Sequence, residues 1–538
     1  MKKLEEKSVR KVMPDIILVL MILAVFSVVF IYWGNLKSVN FCDEIYSYIL
    51  SNSENEFLAF QLEGGRWYEE GEIQNILSAN NGFQFGQVML NNKGDVHPPM
   101  YYFAFHISSV LNEGSTSKWI GLFANWVFAA ISLTLLYVLV KSITKSKLCG
   151  FAACLVCISS PALISNNMFL RMYCMFSMWT VLFTYISYRL YEKKQLQLKD
   201  MGLYALLAIT TFFGFLTQYY FAVFCVLFTC FYCIHKLIAK KWKEVICYVG
   251  SLGLSVIAAT LFWPTWIRHM FSGYLGGAVK ENAFNMSKLL DSVKYGVKHL
   301  FTLMYNRLGI VVGIILVVLI VLLIVKKVKE VGYVYSLLGT AVLYSIAIVH
   351  LTPAHLLSYR YFFPAVYIAY LALILAVYYS AGCFLDKESS DKKISYVTGV
   401  LLLLAGLNFI RPMYDKDAVL FVDSKGTYTK SMEMLESVKD IPWMYYGYEN
   451  ATMTELMYDA TMADKFIMVN AAAPFADEEF TDRNCQFILF AGGENSYFGE
   501  DVFTSMDSWF LGELQYEELT QKGYMTVYKV THIVNSGD

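Results

Sequence analysis

The chain has 538 residues, of which 57% are hydrophobic and only 16% charged. That balance excludes a soluble protein of this size, because apolar runs of about 18 residues or more are long enough to cross a bilayer core of about 30 Å. A net charge of −1 carries no signal for nucleic acid, and the placement of the charges says more than their sum.

Residues 1–13 hold Lys2, Lys3, Lys7, Arg10 and Lys11, directly before an apolar run from Pro14 to Trp33. No small-residue cleavage site follows, so the run reads as a retained helix. The positive-inside rule places the N-terminus in the cytoplasm. The acidic pair Asp43-Glu44 then lies outside, just above the membrane. Around it, Phe41, Ile45, Tyr48 and Ile49 fall at i, i+4, i+7 and i+8, which predicts a short helix on the membrane surface. The polar stretch continues to Gly94-Asp95-Val96-His97-Pro98-Pro99. The apolar piece behind it, about 100–111, is too short to span and reads as a second juxtamembrane helix started by the prolines.

Further spans are predicted at about 118–140, 148–165, 170–190, 202–217, 219–238, 245–266, 308–325, 331–350, 361–384 and 394–410, making about eleven transmembrane helices. Their cytoplasmic connections then carry Lys141/Lys145/Lys147, Lys193/Lys194/Lys199, Lys240/Lys241/Lys243, Lys326/Lys327/Lys329 and Lys387/Lys392/Lys393. A span at 100–111 would turn every one of these basic loops outward, against the charge rule. The fold class is therefore an α-helical polytopic membrane protein, with a membrane domain over 1–410 whose first outer loop is 34–117. Residues 411–538 are more polar. Strands near 441–448, 465–470, 485–491 and 523–531, with helices near 451–463 and 503–519, predict a small extracytoplasmic α/β domain. Cys154/Cys157 and Cys230/Cys233 have C-x-x-C spacing inside apolar spans, where cysteine packs as a small hydrophobe. Cys42 and Cys485 face outward in this topology; a disulfide between them is left open.

The uncommon polar residues cluster on one side. Asp43, Glu44, Asp95 and His97 lie there, with Arg171 at the mouth of a span. Tyr219 follows Gln218 in an outer turn, Arg268-His269 follows another span, and His350, His355 and Arg360 border a late turn. Each has a plainer reading: acidic residues suit a helix's first turn, and arginines at span ends snorkel to headgroups. Their co-location favours a site, since ionisable groups near membrane depth are costly to keep.

These motifs resemble the GT-C class of polytopic glycosyltransferases, in particular the glycosyltransferase family 39-like branch of protein O-mannosyltransferases and aminoarabinose–lipid A transferases. The matching residues are Asp43-Glu44 after the first span, Asp95-x-His97-Pro98-Pro99-x-Tyr101-Tyr102, and Arg171-Met172-Tyr173 opening a span. Ser358-Tyr359-Arg360-Tyr361 with Pro364 matches more loosely. The resemblance implies inverting transfer of a sugar from a polyprenyl-phosphate-linked donor to an acceptor hydroxyl at the outer face. Asp43 would be the general base, with Glu44 orienting hydroxyls beside it. Arg171 and Arg360 would stabilise the leaving lipid phosphate, with Arg268, His355 and Tyr219 as further substrate-binding groups. Asp95 and His97 would shape the acceptor side. No cofactor is required, and a divalent metal is left open because two residues do not make a site. Protein, glycolipid, cell-wall polymer and lipid A-like acceptors are left open, and the lysine-rich, sequon-poor composition suggests a bacterial plasma membrane. The competing reading, a transporter or flippase of lipid-linked sugars, predicts polar residues near the bilayer midplane and broken helices.

Overall fold

The computed structural model describes residues 2–38, 41–54, 62–193, 195–272, 274–329, 331–384, 390–423, 425–447, 456–469, 475, 477–492, 502–522 and 525–534. The chain divides into two compact units. One comprises residues 1–35, 96–101 and 122–420; the other comprises 36–95, 102–121 and 421–538.

The first unit is helical. Among the described residues of the whole chain, nine helices are long and apolar enough to cross a membrane, or ten if one bent pair counts as a span. This is a multi-pass membrane protein. The bent pair occupies the expected 148–165 span: Lys147–Ile158 and Pro161–Met168 meet at 65°. Pro161 opens the second helix, and its missing amide hydrogen cannot continue the first. The expected 170–190 span is a helix, Tyr173–Tyr191, that falls outside the count. Its buried Ser177, Thr180, Thr184 and Ser187 lower its apolarity. Protein surrounds it, so hydroxyls that bond back along the helix, such as Thr184 Oγ1 to the Thr180 carbonyl at 2.8 Å, are tolerated. The helix Phe363–Phe384 is the unit's core and is buried over most of its length. The Tyr370 hydroxyl in its middle lies 3.0 Å from the Met304 carbonyl and 3.1 Å from Ser160 Oγ. Asn408 Nδ2 adds a bond to the Val156 carbonyl at 3.2 Å. This buried polar set is satisfied, and it ties several helices together.

The second unit is built on a six-stranded sheet of order β1-β3-β2-β4-β6-β5. The strands are β1 (Trp67–Glu69), β2 (Trp443–Tyr446), β3 (Lys465–Val469), β4 (Cys485–Gly492), β5 (Glu513–Lys522) and β6 (Met525–Ile533). β3, β2 and β4 run parallel, as expected of an α/β core, and β6 with β5 adds an antiparallel edge. Four strands fall where the sequence predicts them, with residues 448, 470, 523 and 524 outside the described set. The helix predicted over 503–519 is corrected: it ends at Trp509, and β5 follows. Gly512 causes the break, with φ +122 and the Ile533 carbonyl only 2.4 Å from where a Cβ would sit. Of the helix expected at 451–463, residues 456–460 are helical, and 451–455 lie outside the described set.

β1 is an addition that no pattern announced. It comes from the segment between the first two spans and pairs antiparallel with β3, Trp67 opposite Ile467. Trp67 Nε1 donates to Asp477 Oδ2 at 3.0 Å, and its ring packs edge-on against Phe475. That segment also holds the expected helices, as Cys42–Asn52 and Met100–Val110. No disulfide is formed among the described residues, and none joins Cys42 to Cys485.

Candidate functional site

The acidic pair sits in the first turn of the helix Cys42–Asn52, where negative charge complements the helix dipole. Neighbouring helical positions point about 100° apart, so the two carboxylates part company. Glu44 turns inward and is fully buried; Asp43 is half-buried on the adjoining face. Lys37 Nζ lies 2.8 Å from Glu44 Oε2, and both side chains are wholly enclosed. Lys37 also donates to the Ser38 carbonyl, and Lys118 Nζ donates to the Lys37 carbonyl at 2.8 Å. Burial holds the Lys37 ammonium below its usual range, with Glu44 pulling it back up. Lys118 is lowered too, by burial first and then by the charge on Lys37. The expectation put Glu44 beside substrate hydroxyls; in the structure its carboxylate is paired with Lys37.

The far end of this helix is held by His106. The Gln84 amide donates to His106 Nε2 at 2.9 Å, so that nitrogen is unprotonated, and Nδ1 lies 3.2 Å from Asn52 Oδ1. Burial lowers the imidazole pKa, against the Ser51 and Gly82 carbonyls, which raise it. A depressed folded-state value contributes stability above the unfolded value of about 6.5 that is lost as pH falls through the folded one. Thermal melts should therefore show the protein less stable at pH 5 than at pH 7. The His106→Gln variant should flatten that dependence; an unchanged slope would remove His106 as its source.

In the helical unit, Arg360 lies over the ring of Phe169, two residues before Arg171. Residues 169–172 link the helices Pro161–Met168 and Tyr173–Tyr191. Asn125 Nδ2 anchors the approach to that link, donating to the carbonyls of Asn167 at 3.0 Å and Phe169 at 2.8 Å. Arg171 is 3% exposed, and its amide donates to the Phe169 carbonyl at 2.8 Å. The Arg360 guanidinium lies 5.7 Å from the Phe169 ring centre and 5.3 Å from that of Tyr361, within range of cation–π attraction. Arg171 Nη2 is 3.4 Å from His97 Nδ1. A guanidinium only donates, so Nδ1 accepts and the His97 ring proton sits on Nε2. The prolines after His97 are buried, and the Met100 amide donates to the Leu216 carbonyl at 3.1 Å. Asn125→Leu should leave two buried carbonyls unsatisfied, at about 1–3 kcal/mol each. A lower melting temperature together with weaker donor binding is expected; a variant with both properties unchanged would show that the turn stands without it.

The other expected residues are placed separately. Tyr219 is held between Trp263, whose indole N–H donates to the phenol oxygen at 3.1 Å, and His269, whose Nδ1 is 3.0 Å away. Arg268 and His355 are exposed, and Asp95 is half-buried just after the helix Phe85–Gly94. Sequence reasoning did not single out Lys37 or Asn125, and it noted His269 only as the neighbour of Arg268. Asn125 had a readable signal, a lone amide within an apolar run. Lys37 looked like any cation after a span. The described residues contain no group of three or more His, Cys, Asp or Glu that could hold a metal ion.

No family model and no curated protein matches the chain. Among solved structures it is similar to ArnT from Cupriavidus metallidurans bound to undecaprenyl phosphate, at 10% identity over 95% of this chain and 97% of that one, with a TM-score of 0.48. It is also similar to an oligosaccharyltransferase from Archaeoglobus fulgidus tethered to an acceptor peptide, at 11% identity over 93% and 69%, TM-score 0.44. The archaeal oligosaccharyltransferase AglB from the same organism, in complex with an inhibitory peptide and a dolichol-phosphate, gives 12% identity over 91% and 71%, TM-score 0.43.

Proposed function

We propose that this protein is an inverting glycosyltransferase. It moves a sugar from a polyprenyl-phosphate-linked donor to an acceptor hydroxyl at the outer face of a bacterial plasma membrane, with its N-terminus cytoplasmic. The observation that carries the reading is a buried Arg171 two residues after Phe169, whose ring lies 5.7 Å from the Arg360 guanidinium. Two fixed guanidiniums suit an oxyanion that gains charge as a bond breaks, and they act most strongly where water is scarce.

The acceptor oxygen attacks the anomeric carbon from the face opposite the phosphate, and the bond from that carbon to the phosphate oxygen breaks. Asp43 takes the hydroxyl proton, late in the step, because a carboxylate is a weak base towards an alcohol. The departing electron pair stays on the lipid phosphate, stabilised by Arg171 and Arg360. Glu44 is a positioning group: with Lys37 it fixes the first turn of the helix from which Asp43 projects. His97, its Nε2 proton set by Arg171, acts with Asp95 on the acceptor side. Arg268 and His355 serve as outer contacts for the lipid phosphate, and Tyr219 lends a hydroxyl braced by Trp263.

The reading is tested by incubating purified protein in nanodiscs with polyprenyl-phosphate sugars and following label into acceptor. Arg171→Ala should lower turnover by about 10²-fold, as losing one oxyanion donor does. Arg171→Lys should rescue it only in part, since an ammonium lacks the forked geometry. Unchanged kinetics in Arg171→Ala would leave the residue a buried structural cation with no part in transfer.

A further inference from the structure

The unit that carries Asp43 also holds a cavity of about 500 Å³ which the proposed chemistry does not use. One wall is the loop 113–117, with Gln74; the other is Tyr458 and Thr461 with two methionines, Met432 and Met462. The loop is fixed rather than draped. Gly114 takes a φ of +74, its amide donates to the Ala79 carbonyl at 3.0 Å, and its carbonyl accepts from Gln74 Nε2 at 2.6 Å. Facing it, Thr461 Oγ1 donates to the Tyr458 carbonyl at 2.7 Å. Both walls rest on one residue. The Tyr48 hydroxyl donates to the Ser117 carbonyl at 3.1 Å, and its ring centre is 6.2 Å from that of Tyr458. Tyr48 belongs to the helix Cys42–Asn52, one turn beyond Glu44.

The lining specifies a ligand class. Hydroxyls of Ser115 and Thr116, the Gln74 amide and the Glu113 carboxylate can bond to hydroxyl groups. Tyr458 and the methionines offer an apolar surface to C–H faces. Among the described residues of the lining, Glu113 is the one charged side chain. Lys118, next in sequence, directs its ammonium onto the Lys37 carbonyl. A phosphate or carboxylate would meet the Glu113 charge here, with only neutral hydroxyl and amide donors on the lining to offset it. A neutral sugar, polar at its edges and apolar on its faces, matches both halves, and the volume falls within the range of small-molecule sites.

We propose that this cavity binds a neutral oligosaccharide segment, and that the acceptor is a glycan whose chain rests there. The second clause depends on the glycosyltransferase reading; the first does not.

The test is saturation-transfer NMR on the full chain in nanodiscs, with neutral gluco-, galacto- and manno-oligosaccharides as ligands. Wild type and Asp43→Asn should bind a member of the panel equally, with transfer concentrated on C–H protons of one sugar face. Tyr458→Ala should weaken binding on the order of tenfold. Because that variant could unsettle Tyr48, Thr116→Trp serves as a second one: it fills the cavity from a loop position and should abolish binding while the melting temperature holds. No transfer to any neutral oligosaccharide in wild type, or transfer unchanged in Thr116→Trp, would overturn the site. Sugar phosphates outcompeting their neutral parents would overturn the ligand class. Binding that Thr116→Trp removes, in a protein that transfers no sugar from any lipid donor, would leave the site standing and reject the glycosyltransferase reading. Transfer with Thr116→Trp kinetics identical to wild type would do the reverse.

Discussion

Asp43→Asn is expected to lower sugar transfer by about 10²–10⁴-fold, the usual contribution of a positioned general base. The change keeps the side chain's shape and removes its basicity, so donor binding should stay near wild type. Such a split, turnover lost with donor affinity kept, belongs to a group that acts mainly in the transition state. A purely structural Asp43, complementing the helix dipole, would give a different pattern: about 0.3–1 kcal/mol of stability lost and turnover near normal. Equal turnover by the two proteins would remove the base assignment.

The second large effect concerns the Lys37–Glu44 pair. Both side chains are closed off from solvent, so Lys37→Ala leaves the Glu44 carboxylate buried with its closest cation gone. Breaking a buried pair in this way costs about 3–5 kcal/mol, and a clear drop in melting temperature is expected. Replacing both partners with apolar residues of similar size, Lys37→Met with Glu44→Leu, should recover most of the loss, because desolvation offsets much of what the pair gains. Activity then separates two roles for Glu44. If it only fixes the helix under Asp43, the double variant should keep most of its turnover. If its carboxylate touches substrate, the double variant should be as slow as Glu44→Gln even when well folded.

Much of this was legible from residue patterns. The helix at Asp43 follows from apolar residues at i, i+4, i+7 and i+8, and Met100–Val110 is set apart from the spans by its length and by the charge rule. The parallel strands of the second unit were legible as short apolar runs, for example Lys465–Val469. Other features depend on pairings that a linear reading cannot see. β1 is three residues long and is defined by a partner about 400 positions away. Its own sequence, Trp-Tyr-Glu, carries no period. The helix predicted over 503–519 stops short because Gly512, inside that window, takes a positive φ just before a strand begins. The separation of Asp43 from Glu44 was half-visible. Adjacent helical residues must diverge, but which one turned inward depended on Lys37, seven residues upstream. Arg171 and Arg360 lie 189 positions apart in the chain. Only the fold puts the second guanidinium over the ring of Phe169, two residues before the first.

The most direct measurement follows both products of one turnover. Purified protein in nanodiscs is given a polyprenyl-phosphate-linked sugar of known anomeric configuration and a hydroxylated acceptor, and lipid and glycan are recovered together. The account predicts one free polyprenyl phosphate released for each sugar transferred, with the new glycosidic bond of opposite anomeric configuration to the donor. Retention of configuration, or intact lipid-linked sugar crossing a proteoliposome membrane with no phosphate released, would contradict it.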